Sequence, residues 1–213
     1  MTIKLLTEKY GIDKVKDMLS YIDMILDRNK YINLTAVRNK EEAIEKHIVD
    51  SLIITDIPEY ISSDNIIDVG TGAGFPGIPL AIASPEKNFV LLDSTLKRLK
   101  VIEEFAEELD IKNIRTVHER AEEIVRKEEY REQFDICVSR AVANLKKLSE
   151  WCLPFVKIGG SFIAYKGDNY VEEIEEAKKT IRKHGGKIEK IVRLPYNENS
   201  ISGHVLIIIK KIK

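Results

Sequence analysis

Cysteine is nearly missing from these 213 residues: Cys137 and Cys152 are the only two. No group of Cys and His has zinc spacing, so no metal is expected. Cys137 lies in an apolar strand-like run and Cys152 in a helical one. Both are expected to be reduced and buried. Long apolar runs are missing too, and none approaches the roughly 20 residues that cross a bilayer. Met1–Glu8 has no signal-peptide core. The expectation is therefore a cytoplasmic chain with no membrane contact. Net charge is also scarce, at −1, which argues against a general nucleic-acid binder. There is no internal repeat, no low-complexity stretch, and no apolar heptad that demands a protein partner. The length suits one sizeable core, or one domain with an extension.

What is present is unevenly placed. From Lys178 to Lys213, ten Lys or Arg stand against only Glu189 and Glu198. A neutral protein can thus carry a basic face, although a solvated helix with a charged tail fits equally well. Helical spacing runs from Ile12 to Arg28, with Ile12, Val15, Met18, Leu19, Ile22, Ile25 and Leu26 on one stripe. A second helix is expected from Glu41 to Ile54, with Asn39 as a possible cap. Pro58 to Asn65 reads as a connection.

Beyond residue 66 strands and helices alternate. Strands are expected near 66–69, 88–92, 114–117, 134–138 and 160–165, and helices near 78–84, 95–109, 144–153 and 170–184. This predicts an α/β fold with a mostly parallel sheet covered on both faces. Lys187–Leu194 and His204–Lys210 are two strand-like runs with no helix between them. They predict an antiparallel hairpin at the C-terminal end.

Four glycines fall within eight residues at Gly70, Gly72, Gly74 and Gly77. A strand, a glycine-rich turn and a helix start together suit a nucleotide-like ligand. Gly72-x-Gly74-x-x-Gly77 matches the dinucleotide pattern, so an oxidoreductase using NAD is one reading. The fuller string Asp68-x-Gly70-x-Gly72-x-Gly74 looks like motif I of S-adenosylmethionine (SAM)-dependent methyltransferases. There the acid can meet a ligand ammonium group, which a pyrophosphate lacks. Asp93, ending the next strand, can accept both hydroxyls of a ribose. The terminal hairpin also favours the methyltransferase reading.

The chain as a whole resembles the bacterial 16S ribosomal RNA methyltransferase G family, also called glucose-inhibited division protein B. The resemblance rests on Asn33-Leu34-Thr35-Ala36-Val37, His47-Ile48-Val49-Asp50-Ser51-Leu52, the glycine turn, and Leu92-Asp93-Ser94 with Lys97-Arg98. It continues through Arg120-Ala121-Glu122-Glu123, Ser139-Arg140-Ala141-Val142-Ala143 and Tyr165-Lys166-Gly167. It implies a class I SAM-dependent, Rossmann-like methyltransferase domain over 61–213, with an N-terminal helical extension over 1–60. It also implies methylation of a guanine N7 in the 16S rRNA of the small ribosomal subunit.

The expected cofactor-binding set is Asp68, Gly70, Gly72, Gly74, Phe75, Asp93, Ala121, Glu122 and Arg140. Within it, Gly70 and Phe75 would contact SAM from the first turn, and Ala121 and Glu122 would border the adenine. Arg140 would close the site, pairing with the SAM carboxylate or an RNA phosphate. Phe75 can instead simply cover the sheet. His47, Asp50, Lys97, Arg98 and Lys166 are substrate-site candidates, the cations for RNA phosphates. No certain catalytic residue is expected. Guanine N7 has a lone pair and no proton to remove, so transfer to it needs orientation, worth roughly 7–11 kcal/mol, rather than a base. That atom lies on an edge hidden in helical RNA, so the target should be a loop or distorted base. The N-terminal helices and the basic C-terminal part are expected to clamp it.

Overall fold

The computed structural model describes residues 3–193 and 205–213. The N-terminal part holds helices α1 (Ile3–Tyr10) and α2 (Ile12–Arg28), followed by an irregular loop. A broken helical stretch comes next: α3 (Lys40–Ala43), a π turn (Ile44–Val49), α4 (Asp50–Leu52) and a tight turn (Ile53–Asp56). The short helix α5 (Pro58–Ile61) leads into the sheet. The remainder is β1 (Asn65–Val69), α6 (Gly77–Ala83), β2 (Asn88–Asp93), α7 (Leu96–Glu108), β3 (Ile114–His118), α8 (Ala121–Ile124), β4 (Phe134–Arg140), α9 (Leu145–Cys152), β5 (Val156–Lys166), α10 (Tyr170–Lys183), β6 (Gly186–Arg193) and β7 (Val205–Lys211).

The seven strands take the order β3-β2-β1-β4-β5-β7-β6. Strands β1 to β5 are parallel, and β7 runs antiparallel to both β5 and β6. The expected hairpin therefore exists, although Leu194 and His204 lie outside the described residues. Strand residues alternate between two apolar layers. Ile66, Phe89, Leu91, Ile136, Val138 and Ile163 pack with α1, α2, α6 and α7. Ile67, Val69, Val90, Leu92, Cys137 and Phe162 pack with α8, α9 and α10. Each fully buried Leu or Ile contributes roughly 1.5–3 kcal/mol, so both layers are needed for stability. Cys137 and Cys152 are free and buried, as expected. Among the described residues no helix is long and apolar enough to cross a membrane.

Several local expectations need correction. The second N-terminal helix is broken by the π turn and starts at Lys40; Asn39 does cap it, accepting from the Glu42 N–H at 3.0 Å. Pro58–Asn65 is not a bare connection, because Pro at the first helical position starts α5. Ile12 is 57% exposed, whereas Tyr21, outside the predicted stripe, is fully buried. Strand β5 begins four residues before Gly160, at Val156. A Cβ on Gly160 would come within 2.5 Å of the Asp135 carbonyl oxygen, so only glycine fits that close approach.

Candidate active site

The turn after β1 is built by short-range bonding around one carboxylate. Asp68 Oδ2 accepts from Thr71 Oγ1 at 2.7 Å and from the Gly77 N–H at 2.9 Å. Gly70, Gly72 and Gly74 have φ of 75°, 61° and 84°, a region that L side chains avoid. A Cβ on Gly77 would sit 2.2 Å from Leu91 Cδ2 and 2.9 Å from Asp68 Oδ2. Asp68 is therefore not an open acid at the strand end but is fully buried inside the turn. Its other oxygen, Oδ1, is buried with no hydrogen-bond partner among the described residues. Burial pushes its carboxyl up to about 6, despite the lowering effect of the Thr71 and Gly77 bonds. Asp93, ending β2, accepts from the Gly72 N–H at 2.9 Å and the Thr95 N–H at 2.8 Å. It thus ties the turn to the start of α7.

A polar cover lies over this turn. The His47 ring stacks on Phe75, with centroids 4.4 Å apart and planes 12° apart. Arg140, ending β4, lies 5.7 Å from the Phe75 centroid and donates to the Lys46 carbonyl at 2.8 Å. Its other terminal nitrogen is 3.5 Å from His47 Nδ1. A guanidinium can only donate, so His47 Nδ1 accepts and Nε2 carries the proton. That proton goes to Thr35 Oγ1 at 2.8 Å. Burial, helped by the Arg140 charge, pushes His47 down to about 4, so it is neutral at physiological pH. Tyr165 Oη donates to the Ser51 carbonyl at 2.9 Å, and Tyr21 Oη to the Ala73 carbonyl at 2.9 Å. Val142 leans over the mouth: a Cβ on Gly70 would meet its Cγ2 at 2.5 Å.

The remaining candidates separate. Ala121 is buried and Glu122 half-buried at the start of α8, beyond the end of β3. Lys97 is exposed in the first turn of α7, and Arg98 lies 3.9 Å from Asp93. Lys166 is not a free cation: it is 8% exposed, 2.7 Å from Glu173, and donates to the Ala143 carbonyl. Asp50 is fully buried, out of reach of a macromolecular substrate. Three of the ten C-terminal cations are not free. Lys211 is buried, Lys190 pairs with Glu59 at 2.8 Å and Lys178 with Glu175.

The profile of the GidB family, rRNA small subunit methyltransferase G, matches residues 14–201. The chain belongs to that family. A ribosomal RNA small subunit methyltransferase G from Clostridium tetani is 48% identical over 201 residues, covering 94% of this chain and 84% of the relative. The namesake from Clostridium novyi is 46% identical, covering 96% and 84%. Among solved structures, a putative O-methyltransferase from Klebsiella pneumoniae has a TM-score of 0.60 at 13% identity, covering 91% of this chain and 90% of that one. M. jannaschii TYW2, solved with AdoMet, shares the fold as well, with a TM-score of 0.59 at 18% identity, covering 83% of this chain and 80% of that one. The fold is that of class I SAM methyltransferases.

The family's methyl donor is SAM, and the residues present fit it. The unpartnered Oδ1 of Asp68 is an acceptor for a donor such as an ammonium group, and no side chain lies within 4 Å of the position a Cβ on Gly72 would take. Asp93 keeps spare lone pairs for a ribose, and Phe75 offers apolar surface. When bound, SAM supplies a methyl carbon made electrophilic by its sulfonium. Among the described residues no His/Cys/Asp/Glu group suits a metal ion. Sequence reasoning missed Thr35, Tyr21, Tyr165 and Val142 as parts of the site. Thr35, Tyr165 and Val142 lie inside the blocks that carry the family resemblance. Tyr21 had no sequence signal beyond its place on a helix.

Proposed function

We propose that this chain methylates N7 of a single guanine in the 16S rRNA of the small ribosomal subunit, using SAM, in the cytoplasm. The observation that carries this reading is the state of His47. Both ring nitrogens are engaged and the ring is neutral, so this histidine at the mouth is a positioning group and not a waiting base. Such a mouth suits an acceptor atom with no proton to lose. In this reading Asp68, Gly70, Gly72, Gly74, Phe75, Asp93, Ala121, Glu122 and Arg140 hold the donor. His47, Lys97 and Arg98 border the RNA. Residues 1–60 act as a cover and 61–213 as the SAM-binding unit.

Methyl-labelled SAM and small subunits lacking native N7 methylation test the proposal. Label at one guanine N7 supports it. No label with SAM binding intact moves the substrate to naked rRNA or another RNA. Failure of both SAM binding and transfer removes the methyltransferase reading for this chain.

A further inference from the structure

Six of the seven described tyrosines are buried or half-buried with a bonded hydroxyl: Tyr10 to Thr55, Tyr21 to Ala73, Tyr60 to Ser84, Tyr130 to Arg115, Tyr165 to Ser51 and Tyr170 to Arg193. Tyr31 is different. It is 80% exposed, and its hydroxyl has no hydrogen bond among the described residues. A single exposed aromatic is ordinary on a protein surface. The loop that carries Tyr31 is not.

Asn29, at the end of α2, is 6% exposed and holds the loop by four bonds. Its Oδ1 accepts from the Leu34 and Thr35 N–H groups at 2.8 and 3.1 Å. Its Nδ2 donates to the Thr35 and Val37 carbonyls at 2.9 and 3.5 Å. Leu34 and Val37 are buried as apolar feet. The loop is thus an ordered platform with Tyr31 on its outer side. Arg38 sits at its far end, exposed, donating to the Thr35 carbonyl at 2.8 Å and to Asn33 Oδ1 at 3.4 Å. No carboxylate lies within ion-pair distance of Arg38 among the described residues. By contrast Lys30, Lys40 and Lys46 each have one, at 2.7, 2.6 and 2.7 Å. An oriented cation without an acid and a free ring, carried on the same bonded loop, match a phosphate and an unstacked base.

The loop is also wired to the cofactor turn. Thr35 bonds His47, and His47 stacks on Phe75. Thr35 lies four positions after Tyr31, a reach of at most about 14 Å. We propose that Tyr31 stacks on an unpaired nucleobase flanking the target guanine, with Arg38 on its backbone phosphate, and so sets the register of the RNA over the cofactor turn. This rests on the rRNA methyltransferase reading above. A guanine N7 is reachable only where RNA is single-stranded or distorted. Such a target comes with unstacked neighbours that need a platform.

Steady-state methylation of small subunits lacking the N7 methyl group tests this, using Tyr31→Ala, Tyr31→Trp and Arg38→Gln. Tyr31→Ala should raise KM for the subunit about tenfold or more, the usual size of a lost base–aromatic stack. The SAM dissociation constant and melting temperature should not move, because the ring is exposed. Tyr31→Trp should restore KM to within twofold of wild type, which a merely structural role does not predict. Arg38→Gln should lower the salt slope of RNA binding by about one. An active wild type with an unchanged KM in Tyr31→Ala overturns the platform alone. A wild type that binds SAM but methylates no RNA overturns the rRNA reading and the platform with it.

Discussion

The two faces of the sheet end differently at the carboxyl edge. On one face β1, β4 and β5 finish with Asp68, Arg140 and Tyr165; on the other the last side chains are Val69, Ser139 and Lys166. The second face is closed by α8, α9 and α10, helices that follow directly from the βα alternation, and its charged end, Lys166, finds Glu173 on α10 only seven residues further along the chain. The first needs polar partners, because a buried polar group without one costs about 1–3 kcal/mol. Those partners come from far away in sequence: the Lys46 and Ser51 carbonyls and the His47 ring. The helical stretch before β1 therefore covers the polar face.

Removing Arg140 is the strongest way to break this contrast. Arg140→Ala removes a buried cation that interacts with both Asp68 and Asp50 and leaves the Lys46 carbonyl without that donor. It should cost about 3 kcal/mol, the low end for a broken buried charge cluster since Arg140 is partly exposed. Leu148→Ala on the other face should cost a similar amount, about 2–5 kcal/mol, through a cavity. Denaturant melts will show both. At a temperature where both variants are folded, only Arg140→Ala should lose methyl transfer. A comparable loss of kcat in Leu148→Ala would mean that the two faces are not functionally distinct.

Asp68 and His47 sharpen the contrast through pH. Asp68 titrates near 6 when folded against about 3.8 unfolded. Its folded value is raised, so its stabilising contribution is present below the unfolded value and is lost as pH rises through about 6. His47 is lowered to about 4 from 6.5. Its contribution is present above 6.5 and is lost as pH falls toward 4. Each is worth on the order of 3 kcal/mol, and the signs oppose. Wild-type stability should therefore be nearly flat between these values, as far as this pair is concerned. Asp68→Asn should expose a loss on acidification, and His47→Gln a gain, in chemical denaturation across that range. Asp68→Asn should also weaken SAM binding at least about tenfold by calorimetry, since a charged acceptor is lost, without losing stability at neutral pH. Parallel profiles in wild type and both variants would refute the assignment.

The smallest effect belongs to Lys97, exposed and unpaired among the described residues. Lys97→Glu should leave the melting temperature unchanged and reduce the salt dependence of RNA binding by about one phosphate contact. The same reversal at Lys166 is not an equivalent test, because it would break the buried pair with Glu173.

Much of this architecture was legible beforehand. Most strand ends were placed within two residues, although β5 starts four residues earlier than expected, because buried parallel strands are apolar runs bounded by turns. Helices α7, α9 and α10 followed from their spacing. The break in the second N-terminal helix was not legible, since Ile44–Val49 has ordinary helix formers and only its tertiary surroundings widen the turn. The burial of Asp50 and Lys166 was not legible for a related reason. A polar residue in a motif looks the same whether it faces solvent or a buried partner.

The sequence alone determined the turn and the sheet. Positive φ at Gly70, Gly72 and Gly74 calls for glycine, and alternating apolar runs call for a two-faced sheet; both are local demands. Only the tertiary structure decided that Asp68 is walled in, that His47 is neutral with its proton on Nε2, that Lys166 is neutralised and that Tyr31 stands free. These states depend on which distant groups exclude water or supply a partner. Arg140 meets Lys46 and His47 across more than ninety residues of chain, and no local pattern encodes that encounter.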